Sequence, residues 1–234
     1  MIKENIEYYE IVLERLHDYR EEWQLSKAEM ARKLGIDRSL YSRFERGKKA
    51  VTYPVLMKMH DLGIDIDYLV TGIKSKETKL SEMYDKCKLE RRSSFVNIVT
   101  SYMNVFMEKD NSKAIYCRKE MEILNFNIEK MNGQRTGTVW SCIREIHGLT
   151  QEQVRAVLDI NIKTYRKMEK GQAMPTLEML VNLYQKLGYY PSLLHEINSN
   201  YILMLNNAWD ELSDEDRKTM EKIASKTLKD LNSI

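Results

Sequence analysis

Residues 25–56 read LSKAEMARKLGIDRSLYSRFERGKKAVTYPVL, and residues 149–180 read LTQEQVRAVLDINIKTYRKMEKGQAMPTLEML. The two stretches, here called the first module and the second module, align over 32 positions at a separation of 124 residues. Eight positions carry the same residue, whereas average residue usage gives about two by chance. The identical pairs are Leu25/Leu149, Leu34/Leu158, Ile36/Ile160, Tyr41/Tyr165, Glu45/Glu169, Gly47/Gly171, Thr52/Thr176 and Leu56/Leu180. The chain therefore contains an internal repeat.

The repeat continues beyond the two modules. After one inserted residue the separation becomes 125, and matches persist for a further 35 positions or so. They include Leu62-Gly63/Leu187-Gly188, Leu69/Leu194, Asp85/Asp210, Arg92/Arg217 and Ile98/Ile223. A repeated unit of about 100 residues predicts that a module was duplicated together with the helical segment that follows it.

Residues at the helix ends predict two short helices joined by a tight turn in each module. Residues 26–29 and 150–153 have the capping-box pattern of a helix start. In the first module we expect Gly35 to end this helix, Asp37 to cap a second helix over Arg38–Arg46, and Gly47 to end that one. The corresponding residues of the second module are Asn161, Ile162–Lys170 and Gly171. Two short helices with a three-residue turn between them form a helix-turn-helix.

The composition of the 234-residue chain favours an all-α fold. Glycine and proline are scarce, at 9 and 3, and few breakers favour long helices over a sheet with many turns. No run of 18 apolar residues occurs, which predicts no membrane span. The three cysteines lack zinc-site and redox-motif spacing, so we expect reduced thiols and a cytoplasmic protein. A net charge of +2 argues against a protein that is basic over its whole surface.

Residues 15–47 and the following residues 62–72 resemble the lambda-repressor-like (Cro/CI, XRE-type) DNA-binding family. The small Ala31, the turn residue Gly35 and the terminal Glu45-Arg46-Gly47 fall in register with the family pattern. The resemblance implies an all-α fold with two lambda-repressor-like helix-turn-helix modules, each followed by an additional helix. It also implies a sequence-specific DNA-binding transcriptional regulator, most simply a repressor.

Residues 140–194 resemble the same family more weakly. Arg155 replaces the small Ala31, and Asp159 replaces Gly35 at the turn. The expected domains are a helix-turn-helix DNA-binding domain (1–73), a helical connector (74–138), a second and divergent helix-turn-helix domain (139–196), and C-terminal helices (197–234).

The helix from Arg38 to Arg46 is the expected recognition helix. Leu40, Tyr41 and Phe44 lie three and four residues apart, which predicts a buried face. The outward residues are Arg38, Ser39, Ser42 and Arg43, and the resemblance places Arg38, Ser39 and Arg43 at base-contacting positions. The residues expected to bind phosphate are Lys27, Arg46, Lys48 and Lys49.

The charge distribution supports this assignment. From Lys27 to Lys49 there are eight basic and three acidic residues, whereas residues 1–22 contain three basic and seven acidic ones. Such asymmetry would orient one face toward a polyanion. A solvated basic face without a partner is the alternative, but it does not account for the motif.

The second module has a weaker charge balance, five basic residues against three acidic ones from Gln151 to Ala173. Its outward residues Ile162, Lys163, Arg166 and Lys167 are candidates for DNA contact, with Gln151 bonding a phosphate. Two alternatives stay open: a second DNA-binding module of different specificity, or a module used for packing or protein contact.

The segments after the modules are expected to be helical. Phe95, Ile98, Val99, Tyr102 and Phe106 form an apolar stripe, which predicts the inner face of a helix. A pairing seam, between the two halves or between chains, is the alternative, and we favour internal packing with some contact between chains. Residues 112–131 predict another helix, and residues 132–138 a linker.

Catalytic and metal-binding functions find no support in the sequence. The four histidines are scattered, and no phosphate-binding glycine loop is present, so we expect no enzyme, no cofactor and no metal site. The expected partner is double-stranded DNA, contacted at two half-sites about one helical turn apart. A homodimer presenting two first modules is preferred over one chain presenting both modules. The alternative function is a protein-interaction or antitoxin-like inhibitor, and a protein antirepressor is a further candidate partner.

Overall fold

The computed structural model describes residues 3–74, 78–109, 115–194 and 201–234. These ranges contain fourteen α-helices and no strand, which confirms the predicted all-α fold. Within the same ranges no helix has the length and apolarity needed to cross a bilayer. The chain divides into two compact units, unit 1 (residues 1–74 and 149–191) and unit 2 (residues 75–148 and 192–234). The domain bounds expected from the sequence stay a prediction.

Unit 1 contains both modules, and each consists of two helices and the first residues of a third. α1 (Lys3–Glu22) precedes the first module and α5 (Ile66–Thr71) follows it. The first module contains α2 (Lys27–Leu34), α3 (Arg38–Glu45) and the first residues of α4 (Tyr53–Asp61). α9 (Val139–Ile146) precedes the second module and belongs to unit 2. The second module contains α10 (Gln151–Leu158), α11 (Ile162–Glu169) and the first residues of α12 (Leu177–Leu187).

The two modules bury equivalent residues. At these positions an apolar side chain of each module lies in the core, and its exposed fraction is 4% or less. The buried pairs are Met30/Val154, Leu34/Leu158, Tyr41/Tyr165, Phe44/Met168 and Leu56/Leu180. The repeat found by alignment is therefore a repeat of the packing as well, and burial of these side chains is the main favourable contribution to each module's stability.

The modules also contact each other within unit 1. Thr52 forms an isolated antiparallel bridge with Thr176, its equivalent in the second module. Leu177 N donates to Val51 O at 3.0 Å. α12 packs against α1 and α5, and the rings of Tyr8 and Tyr184 lie 6.4 Å apart between centroids.

Unit 2 pairs the segments that follow the modules. α6 (Lys79–Asp85) and α7 (Arg92–Lys109) come after the first module, and α13 (Tyr201–Glu211) and α14 (Asp214–Ser233) come after the second. α6 and α7 each pack against both α13 and α14, and α8 (Ile115–Met131) packs against α7, α9 and α13. Additional helices thus follow each module, as predicted, and unit 2 contains an equivalent pair of them from each copy.

The apolar stripe predicted for α7 is wrong at two of its residues. Phe95 and Val99 are buried, but Ile98 and Tyr102 are 37% and 46% exposed. The buried face continues instead through Met103, because α7 packs against α14 along a line turned away from Ile98. Of the helix predicted over residues 112–131, residues 112–114 lie outside the described residues and α8 accounts for the rest.

Candidate nucleic-acid interface

Local hydrogen bonds fix the first helix-turn-helix at both ends of α2. Ser26 N donates to Glu29 Oε2 at 2.8 Å and Glu29 N to Ser26 Oγ at 3.2 Å, so the predicted capping box is confirmed. Gly35 ends α2 in the left-handed conformation at φ 61°. Lys58 Nζ donates to Leu34 O at 2.9 Å and so satisfies one of the last carbonyls of α2. Hydrogen bonds at both ends of α2 therefore fix the turn that sets the direction of α3.

The α3 helix buries one side and exposes the other. Tyr41 is fully buried and Phe44 is 1% exposed, as the spacing predicts, whereas Leu40 is half-buried. On the outer side Arg38, Ser39 and Arg43 are exposed, and Ser42 is half-buried. Asp37 stands at the N-cap of α3, but its side chain makes no capping hydrogen bond, and the helix ends at Glu45, one residue earlier than predicted.

A buried carboxylate anchors the end of α3 to the two preceding helices. Glu45 Oε1 accepts a hydrogen bond from Arg20 Nε of α1 at 2.6 Å, and its Oε2 lies 2.7 Å from Lys27 Nζ of α2. The side chains of Glu45 and Arg20 are 3% and 6% exposed. Arg20 Nη1 also donates to Leu25 O at 2.7 Å, so one guanidinium joins α1, the α1–α2 turn and α3. This network sets the orientation in which α3 presents its outer side.

The protonation of this network follows from its surroundings. Burial disfavours the charged form of Glu45, but the hydrogen bonds from Arg20 and Lys27 outweigh it, so the pKa of this carboxyl lies below its usual value. Burial, then the Glu45 charge, raises the pKa of the Tyr41 hydroxyl. Glu45 is therefore ionised and Tyr41 neutral near pH 7.

The four residues expected to bind phosphate differ in their surroundings. Lys48 and Lys49 are exposed beyond the end of α3. Arg46 is exposed and donates through Nε to Ser42 O at 3.0 Å, which lays it along α3. Lys27 is paired with Glu45, and its side chain is 37% exposed. Of the four residues, Lys48 and Lys49 are therefore the most accessible to an anion such as phosphate.

The acidic residues of unit 1 are concentrated on a different element. α1 exposes a row of carboxylates at three- and four-residue spacing: Glu7, Glu10, Glu14, Asp18 and Glu21. The α3 helix and the residues just after it expose only basic groups among their charged side chains, apart from the buried Glu45. Unit 1 thus has a cationic side on α3, whose field favours a polyanion.

The second module repeats the helix-turn-helix with altered details. Thr150 and Gln153 form the predicted capping box, and Asn161 Oδ1 accepts from Thr164 N at 2.8 Å, so both predicted caps are confirmed. Asp159 adopts the left-handed conformation at φ 55° that Gly35 has in the first module. Arg155, which replaces the buried Ala31 of the first module, is half-buried, and its guanidinium pairs with the exposed Glu152.

The outer side of α11 carries the candidates for a second interface. Lys163, Arg166 and Lys167 are exposed, and Ile162 is half-buried. Gln151 accepts a hydrogen bond from Arg166 Nε at 3.2 Å and donates to Glu169, the equivalent of Glu45. Tyr165 OH donates to Glu169 Oε1 at 3.0 Å. Gln151 is therefore engaged within the module, and it positions Arg166 on the outer side.

Sequence reasoning missed Arg20, the residue that joins α1 to the end of α3. A signal was available, because Arg20-Glu21 and Arg144-Glu145 are identical at the same separation of 124 residues, just before the aligned stretch. Elsewhere, the described residues contain no group of three or more His, Cys, Asp or Glu placed to hold a metal ion. His195 lies outside the described residues.

Comparison with known protein families agrees with this geometry. Residues 13–62 match a family model described as a helix-turn-helix domain, and residues 143–194 match a second one described as helix-turn-helix. Both are of the lambda-repressor (XRE) type, which confirms the tandem arrangement. Neither the curated proteins nor the solved structures contain a significant match to the chain.

Proposed function

We propose that this chain, which carries two tandem helix-turn-helix domains of the lambda-repressor (XRE) type, is a sequence-specific transcriptional regulator that contacts the DNA major groove with α3. The observation that carries the proposal is the division of α3 into two sides. Tyr41 and Phe44 are buried against the module, while Arg38, Ser39 and Arg43 are exposed on a helix whose end is fixed by Glu45. A recognition helix needs this arrangement, with apolar support behind and hydrogen-bond donors in front.

The remaining parts of the proposal follow from the chemistry of these groups. Arg38 and Arg43 have the bidentate donors that match guanine, and Lys48 and Lys49 provide charge for the phosphate backbone. Binding over a promoter excludes polymerase from the same DNA, so repression is the simplest regulatory outcome. We propose that the protein acts in the cytoplasm, without catalysis and without a cofactor.

The direct test of base recognition is selection from a random double-stranded DNA library, followed by footprinting of the selected site. Arg38→Ala and Arg43→Ala are expected to relax the choice of base at one position each and to weaken binding by about 1–3 kcal/mol. Lys222→Ala removes an exposed charge from α14 of unit 2 and serves as the control. A footprint and a base preference unchanged in both arginine variants would exclude α3 as the recognition helix.

Phosphate contacts are tested by the salt dependence of the affinity. Affinity for DNA is expected to fall steeply with salt, and Lys48→Ala should reduce the slope of log K against log salt by about 1 without changing the preferred sequence. An affinity independent of salt would contradict DNA binding by this basic side.

The alternative function is a protein-interaction or antitoxin-like inhibitor. One observation favours it: the face of α7 that points away from the core exposes Ile98, Tyr102 and Val105 at 37%, 46% and 55%. Exposed apolar side chains at helical spacing are typical of protein contact surfaces. The dependence of the affinity on salt concentration distinguishes the two functions. The affinity of an apolar protein contact rises or stays constant with salt, whereas the affinity for DNA falls.

A further inference from the structure

We infer that one copy of this chain recognises an asymmetric DNA site, with α3 and α11 contacting half-sites of different sequence. The inference rests on the proposed function and specifies its substrate. The sequence alone favoured a homodimer on a palindrome. Three observations point instead to a single chain: the pairing of the modules, the pairing of the segments that follow them, and the different outward residues of the two recognition helices.

The first observation is the contact between the modules in unit 1. Thr52 and Thr176 are equivalent positions, and they pair with each other in antiparallel orientation. A residue that pairs antiparallel with its own equivalent lies next to a local two-fold axis, as in an isologous dimer contact. The neighbouring hydrogen bond, from Leu177 N to Val51 O, extends the contact into the backbone. Within unit 1 the two modules thus meet as two subunits of a dimer would.

The second observation is the pairing within unit 2. α6 packs on α14 and α7 packs on α13, which are reciprocal contacts between equivalent helices. The internal contacts of each copy also recur: Arg92 Nη2 donates to Asp85 O and Arg217 Nη2 to Asp210 O, both at 3.2 Å. Reciprocal contacts identify a two-fold arrangement. The dimer-like pairing is therefore made inside one chain in both units.

The third observation is the chemistry of the outward residues. At the four outward positions the two recognition helices share no residue, and the pairs are Arg38/Ile162, Ser39/Lys163, Ser42/Arg166 and Arg43/Lys167. Ile162 places an apolar side chain where Arg38 places a guanidinium, and apolar side chains at a groove contact the thymine methyl rather than guanine. Of the four outward positions, α3 has arginine at the first and the fourth, whereas α11 has arginine only at the third. Two helices with these residues select different bases.

The α11 helix is also supported in a way that fits contact with DNA. Arg166 is exposed but is held by Gln151, which is held in turn by Glu169. This orients the guanidinium before any ligand arrives, which lowers the entropic cost of binding. The half-site of α11 is therefore expected to combine a thymine opposite Ile162 with a guanine or phosphate opposite Arg166.

The test uses the full chain and a transplant of outward residues. The variant Ile162→Arg, Lys163→Ser, Arg166→Ser, Lys167→Arg gives α11 the outward residues of α3, while the buried Tyr165 and Met168 stay unchanged. We expect the wild type to select an asymmetric site and to bind it as one chain per duplex, measured by light scattering of the complex. The variant should select a site whose second half is an inverted copy of the first, and it should lose ten- to a hundredfold in affinity for the wild-type site.

A matched control keeps the charge change away from α11. The transplant lowers the net charge by one, and Lys218→Ser with Lys226→Arg, both at exposed positions of α14, does the same and should leave the selected site unchanged. Selection of a palindrome by two wild-type chains, or a transplant variant that selects the wild-type site, would overturn the inference while leaving α3 as a DNA-binding helix. Failure of the wild type to select any sequence would instead overturn the proposed function.

Discussion

The two modules have the same fold and bury equivalent residues, but they fix their recognition helices with different polar side chains. Both bury a tyrosine from the recognition helix and both place a glutamate at its end, but Lys27 pairs with that glutamate in the first module and Gln151 bonds it in the second. The left-handed residues also differ at two equivalent turns, one just before each module and one between its first two helices. The first module uses Gln24 and Gly35, and the second uses Gly148 and Asp159, so each has glycine where the other does not. After duplication, the packing was kept while turns and polar contacts diverged.

The largest expected effect comes from breaking the ion pair that fixes α3. Arg20→Met leaves the carboxylate of Glu45, whose side chain is 3% exposed, with Lys27 as its remaining cation, and should lower the free energy of unfolding by about 3 kcal/mol. Urea unfolding followed by circular dichroism measures this loss. Lys27→Gln, which installs the residue of the second module, is the control and should cost less than about 1 kcal/mol, because Lys27 is partly exposed. Equal losses in the two variants would show that Arg20 has no special role.

A smaller effect is expected at the turn between the two helices of each module. Gly35→Ala forces a side chain into a residue at φ 61° and should destabilise the protein by roughly 1–2 kcal/mol. Asp159→Ala at the equivalent turn replaces one side chain by another at φ 55° and should cost less. The difference between the two variants in thermal unfolding measures how far the second module has adapted to losing its glycine. If both variants were equally damaging, the turns would not be equivalent.

Exchanging residues at the other left-handed turn should stabilise the protein slightly. Gln24 has φ 53°, and its equivalent Gly148 has φ 60°. Gln24→Gly removes the steric cost of the side chain and should raise stability by about 0.5–1 kcal/mol, less the added freedom of the unfolded chain. The reverse change, Gly148→Gln, should destabilise. A melting temperature lowered by Gln24→Gly would mean that the Gln24 side chain contributes more than its strain costs.

The smallest expected effect is the pH dependence of stability. Two glutamates of unit 1, Glu45 and Glu178, should change the stability in opposite directions as the pH rises. The pKa of Glu45 is lowered, so its stabilising contribution is present above its ordinary value of 4.5 and is lost as the pH falls through the folded-state pKa. Burial, and then Asp159, raises the pKa of Glu178, so its contribution is present below 4.5 and is lost as the pH rises through the folded-state pKa. The melting temperature of Glu178→Gln relative to wild type should therefore increase from pH 4 to pH 7.

For Glu45→Gln we expect the opposite pH dependence of the stability difference from wild type. Its deficit against wild type should shrink as the pH is lowered below 4.5, since protonation removes the same charge from the wild-type protein. Parallel shifts of both variants over this pH range would contradict the opposite directions of the two pKa values.

Local features of the molecule were predictable from sequence, and features that depend on distant contacts were not. The helix starts at Ser26 and Thr150 depend on residues three apart, and the buried side of α3 depends on three- and four-residue spacing. The Arg20–Glu45 pair joins residues 25 positions apart, which no local pattern indicates. Ile98 was misplaced for the same reason, because the partner that sets the buried face of α7 is α14, more than 100 residues later.

The candidate site likewise has features that local sequence predicts and features that depend on contacts between helices. Exposure of Arg38, Ser39 and Arg43 followed from helical periodicity, and the structure agrees with it. The engagement of Lys27 by Glu45 and of Gln151 by Glu169 did not follow, because side-chain partners across helices depend on how the helices cross. For these two residues, only the position at a helix start predicts phosphate contact.

The pairing of two modules within one chain, seen at the Thr52–Thr176 bridge, has a consequence for the proposed function, namely for how DNA occupancy depends on the protein's concentration. Two modules joined by one polypeptide cannot be diluted apart, since their effective concentration is set by the connecting chain. Under the single-chain binding inferred above, occupancy of a DNA site would rise with the first power of the protein's concentration, whereas a dissociating pair of subunits would give a rise with its square. Halving the number of molecules in a cell at low occupancy would halve the occupancy and not quarter it, a graded dose response built into the covalent structure.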